Sequence, residues 1–142
     1  VSLPDPAAWL GVVAAAHLGF QVTVDRVVYP ALRDVEHGVW QAAHQRHARR
    51  IAPLVGLLYV PLVLVLAWTA AVEPRAAGTW LAAIGASLSV VTTAALAAPL
   101  HARLARAPLT ERPRLLDDLA RADRVRTLGA AACLLGAVLL LT

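Results

Sequence analysis

Apolar residues gather along the chain into four long stretches, near residues 3–28, 51–72, 79–100 and 125–142, and the polar connections between them are too short for a further domain. About 20 helical residues cross a hydrocarbon layer of about 30 Å. The pattern therefore predicts an all-α integral membrane protein, a four-helix up-down bundle forming one transmembrane domain over residues 1–142. Proline places the ends of the first helix at about 6–29, because Pro6 is tolerated in a first turn and Pro30 disfavours helix at its predecessor. Trp40, His44, His47 and Ile51 recur at steps of four, three and four, which extends the second helix back to give 38–72. The third is expected at 77–101, rich in small residues that let helices approach closely, and the fourth at 114–142.

Polar positions inside these stretches need partners. In the first helix His17, Gln21, Asp25 and Tyr29 recur every four residues and form one polar stripe, which should face protein. A charged side chain in the membrane costs at least about 2.5 kcal/mol on insertion scales. Asp25 is accordingly expected to pair with Arg124, Arg126 or a histidine, since Arg26 of its own helix offers poor geometry. Asp117 and Arg121, four apart, are placed for a surface ion pair. The sole cysteine, Cys133, cannot form an intrachain disulfide.

Charge changes the picture by fixing orientation. The net charge is +4 and every basic residue is an arginine; 12 of the 13 flank the first and third connections, and only Arg75 lies elsewhere. The positive-inside rule puts those two Arg-rich connections in the cytoplasm and both termini, with the turn at 72–79, outside. The same placement makes the basic charge a topology signal, so the lipid bilayer and not nucleic acid is the expected partner. The first ten residues hold Asp5 and no Lys or Arg, and the first segment is read as retained, not cleaved. The lack of lysine and the abundance of Ala and Arg suggest a GC-rich bacterial genome, hence a multi-pass protein of the bacterial cytoplasmic membrane.

The candidate chemistry lies near the cytoplasmic face, where Asp25, Tyr29, His44, His47, His101 and Asp123 are expected to converge, with His17 and Gln21 as a floor. One reading is a metal centre of copper, iron or zinc held by His44, His47 and His101, since helix bundles host such sites. Another is metal-free oxidation or isomerisation of a lipophilic small molecule, with Asp25, Tyr29 and His101 as catalytic groups and His17, Gln21 and Trp40 binding the substrate. The third is a non-catalytic assembly or binding subunit, with a second copy as a further candidate partner.

The segments QVTVDRVVYPALR (21–33), HARRIAPLVGLLY (47–59), APLHARLAR (98–106) and LARADRVRT (119–127), with Trp40 and His44, resemble small, largely uncharacterised four-helix bacterial membrane proteins. The architecture and polar first helix are also distantly similar to the DUF1772, anthrone-oxygenase-like membrane proteins. That second resemblance implies a membrane protein that oxygenates an aromatic polyketide without a recognised cofactor.

Overall fold

The computed structural model describes residues 5–142 and is all-α, with four helices. They are α1 (Pro6–Arg33), α2 (His37–Val72), α3 (Ala77–Leu104) and α4 (Arg112–Leu139). The first, second and third are long and apolar enough to cross a membrane. In α4 the apolar stretch expected at 125–142 contains Arg126, follows directly on Asp123 and Arg124 and loses its helix after Leu139, so α4 is not in that class. The start of the first apolar stretch, at Leu3, lies outside the described residues.

Helix α1 does not stop at Tyr29 but continues through Pro30 to Arg33. A proline inside a helix lacks an N–H, and its ring strikes the carbonyl four residues back. The chain meets this by widening into a π-helical turn at Val24–Val28, where the Tyr29 N–H bonds the Val24 carbonyl five residues earlier. Helix α3 repeats the device: a π turn at Thr93–Ala97, an Ala98 N–H bonded to the Thr93 carbonyl, then Pro99, and three residues of helix beyond the expected end at His101. Helix α4 starts two residues early, with Pro113 harmless in its first turn, and ends at Leu139.

The tightest packing joins α3 to α4 through two glycine pairs, each seven residues apart and matched in reverse order. A β-carbon on Gly85 would fall 2.4 Å from the Gly129 carbonyl oxygen, and one on Gly136 would fall 2.5 Å from that of Gly78. Backbones this close leave no room for side chains, as in small-residue helix pairs of membranes. Between these pairs and the arginine-rich end, the Ser89 hydroxyl donates to the Arg126 carbonyl at 2.8 Å. Helix α2 is the loosest member and leaves Leu57, Val60, Leu64 and Val72 exposed.

Two apolar cores form. One, toward the turn at 72–79, packs Leu10, Ala14, Leu62, Ala82, Ala86 and Cys133, whose thiol is free. The other packs Val24, Leu32, Leu104, Leu115, Leu116 and Leu119 at the arginine-rich end. Buried between them is a polar layer that includes His17, Gln21, Ser89, Asp123 and Arg126.

Candidate functional site

The polar layer is built by phase. In an unbroken helix each step of four residues rotates a side chain by about 40°, so Tyr29 would stand about 120° from His17. The π turn absorbs one extra residue and brings Tyr29 back to within about 20°. Asp25, inside the turn, is rotated off the stripe. The same correction in α3 returns His101 to the face of Ser89.

Three arrangements result. The first is a buried lock. Asp123 is fully buried and pairs with Arg126 one turn later through both Nε, at 3.1 Å, and Nη2. From the same Nη2, Arg126 donates to the Tyr29 hydroxyl at 3.1 Å, tying α4 to α1. Tyr29 thus accepts from Arg126 and keeps its own proton to donate.

The second lies deeper. The Gln21 amide donates to the Tyr59 hydroxyl at 3.2 Å and to the His17 Nε2 at 3.3 Å, while Tyr59 shares a 3.0 Å hydrogen bond with Thr93. The His17 and Tyr59 rings meet edge to face, 4.9 Å apart. His17 Nδ1, Gln21 Oε1 and Asp123 Oδ2 are buried and lack protein partners among the described residues. Buried polar groups of this kind normally bind internal water.

The third is a group of imidazoles at the arginine-rich end. His44 Nε2 and His101 Nδ1 face each other at 3.3 Å. His47 stands 5.6 Å from His101 and 6.4 Å from His44 between ring centroids. Trp40 stacks on His44 at 5.5 Å, donates from Nε1 to the Leu104 carbonyl at 3.3 Å and lies under the Arg112 guanidinium.

Between these arrangements lies a chamber of about 290 Å³ walled by all four helices. Its lining is mainly apolar, including Phe20, Val24, Ile51 and Val55, and Tyr29, His47, Thr93, His101 and Arg126 supply the polar groups. This is the usual composition of a small-molecule site, near the lower end of the usual size range. His101 also borders a separate groove of about 630 Å³ that it shares with Gln41, His44 and Gln45. One imidazole therefore touches both spaces.

Several sequence expectations change. Asp25 pairs with Arg26 after all, at 3.3 Å, and joins neither the histidines nor the chamber, because the π turn carries it away. Trp40 does not line the chamber; it clamps the start of α2 to the end of α3. His17 and Gln21 sit behind the floor, reaching it through Tyr59 and Thr93. Asp117 bonds Arg33 across helices at 2.8 Å, leaving Arg121 to Asp118. Among the described residues no group of three His, Cys, Asp or Glu side chains is placed to hold a metal ion. The expected ligands His44, His47 and His101 are nonetheless neighbours, with His44 and His101 in direct contact and His47 beside both.

Sequence reasoning missed Tyr59, hidden within an apolar run, and considered Arg126 as a partner for Asp25, whereas it pairs with Asp123 and Tyr29. No family profile, curated protein or solved structure matches the chain.

Proposed function

We propose that this chain is a multi-pass protein of the bacterial cytoplasmic membrane that binds a lipophilic, acidic small molecule in the chamber and oxidises it without a metal. All four helices cross the bilayer, up and down, with both termini outside and the two Arg-rich connections in the cytoplasm. The short fourth crossing is supported by the burial of Asp123 and Arg126 within the protein, where lipid does not meet their charge.

The observation that carries the proposal is the convergence of Arg126, Tyr29 and His101 on one apolar chamber. A methylene activated by flanking aromatic rings and a conjugated carbonyl, as in an anthrone, or a hydroquinone enters from the bilayer. A neutral His101 imidazole takes a proton, and the developing oxyanion is met by the Tyr29 hydroxyl and the Arg126 guanidinium. The electron-rich anion then reduces dioxygen. For an anthrone-type methylene the sum is CH2 plus O2 giving a carbonyl and water; for a hydroquinone two electrons and two protons pass to O2, giving a quinone and hydrogen peroxide. His44, in contact with His101 and open to the groove, takes the abstracted proton from His101 and returns it to the hydroxide released with the carbonyl, which completes the water.

Oxygen consumption by protein in detergent, with anthrone or quinol substrates, tests this reading. Turnover that is lost in His101→Ala with intact helical content supports it. No turnover by well-folded wild type favours the second reading, a non-catalytic binding or assembly subunit, for which the structural roles of the Asp123–Arg126–Tyr29 lock and the Gln21–Tyr59–Thr93 tie speak.

A further inference from the structure

A separate cavity of about 460 Å³ opens between α1 and α4 at the arginine-rich end. Arg26, Arg33 and Arg124 line it, with Asp25 as the sole carboxylate in its wall and Tyr29 at its back. Two of the guanidinium groups are engaged on the surface: Arg26 with Asp25, and Arg33 with Asp117, which lies outside the cavity. Arg124 is exposed and, among the described residues, forms no ion pair. The cavity thus holds one uncompensated cation between two ion pairs of the exposed kind that contribute little and open readily.

The surroundings say which anion fits. Four residues from Arg124 along the unbroken helix α4, toward the apolar middle of the bundle, stands exposed Leu128. The guanidinium cluster thus adjoins apolar surface on α4. A soluble phosphate uses only the first of these features, whereas a phospholipid uses both. Basic pockets between membrane helices on the cytoplasmic side are suited to anionic headgroups.

We propose that this cavity binds the headgroup of one anionic phospholipid, its phosphate between Arg33 and Arg124 and its acyl chains along the exposed face of α4 at Leu128. The site is independent of the chemistry assigned to the inner chamber. Bidentate guanidinium contacts to phosphate oxygens supply orientation as well as attraction.

The test is native mass spectrometry of the intact chain in detergent with phosphatidylglycerol or phosphatidylcholine added. One phosphatidylglycerol should be retained per chain in preference to phosphatidylcholine. Arg124→Gln should weaken retention about fivefold and Arg33→Gln/Arg124→Gln about twenty-fivefold, the loss expected for one and two basic contacts. Arg49→Gln/Arg50→Gln on α2 removes the same charge away from the cavity and should leave retention unchanged. Arg124 is exposed, so its single variant keeps the test valid where the double variant fails to fold. Equal retention of both lipids, or equal loss in the α2 variant, overturns the proposal. Displacement of phosphatidylglycerol by millimolar glycerol phosphate would reassign the cavity to a soluble phosphate and likewise overturn it.

Discussion

Arg126 donates a 3.1 Å hydrogen bond to the hydroxyl of Tyr29, joining α4 to α1 across the polar layer while its other contacts go to Asp123. A guanidinium with a carboxylate on one side and a phenol on the other is held in place yet still borders the chamber. The structural lock and the proposed anion-binding group are therefore the same side chain, and the two roles can be separated by substitution.

Breaking the buried pair from one side should be costly. Asp123→Leu leaves Arg126 charged and unpaired, and removing one partner of a buried ion pair typically costs about 3–5 kcal/mol. Tyr29→Phe removes a single hydrogen bond to a charged group and should cost about 1.5–3 kcal/mol. Equilibrium unfolding in detergent checks both; a Tyr29→Phe loss equal to that of Asp123→Leu would contradict the assignment of Asp123 as the main partner.

Glycine substitutions should divide by position. Gly85→Leu places carbon against the Gly129 carbonyl and the Cys133 amide and must push α3 from α4, whereas a β-carbon at Gly19 or Gly56 meets nothing within 4 Å. Overpacking costs about 1–3 kcal/mol even in cores that adjust, and two backbones in contact adjust poorly. Thermal unfolding should show a large loss for Gly85→Leu and little change for Gly19→Ala. Equal effects would refute the close approach.

The four helices were legible because apolar length and proline placement are local properties. The glycine pairing of α3 with α4 was foreshadowed only as an abundance of small residues, since which small residues meet depends on the partner helix. The chief misreading came from the π turns. The four-residue count put Asp25 and Tyr29 on one stripe with His17 and Gln21; the structure keeps Tyr29 on that face and turns Asp25 to Arg26. No hydrophobic pattern announces a π turn, although both occur directly before an X-Pro pair, at Tyr29–Pro30 and Ala98–Pro99. That is the signal to look for. Arg126 was considered as a partner of Asp25, and only packing distinguishes an arginine facing a headgroup or Asp25 from one facing Asp123.

His44 and His101 should differ in kind. His101→Ala removes the base and should lower turnover about 100- to 10,000-fold, the usual worth of general base catalysis. His44→Ala leaves the base and removes its outlet, so the loss should be smaller and partly restored by added imidazole, which the groove of about 630 Å³ can admit. Steady-state rates with and without imidazole check this. Rescue of neither variant, with equal losses in both, would reject the relay.

The proposed orientation rests on arginine placement and is open to direct labelling. With Cys133 replaced by Ala, a single cysteine at Glu36 or Glu111 should react with a membrane-impermeant maleimide only after the cytoplasmic side is exposed, whereas one at Glu73 should react in intact cells. Labelling of all three positions from one side would contradict four crossings.

The central claim is that the chamber receives an acidic lipophilic molecule and stabilises its anion, and the absorption spectrum of a bound phenolic probe reports on this directly. At neutral pH a naphthol or hydroxyanthrone titrated into the purified protein should bind one per chain and show its phenolate band, with the band lost in His101→Ala while helical content is kept. A probe that stays in its neutral form when bound, or whose phenolate band is unchanged in His101→Ala, would contradict the account.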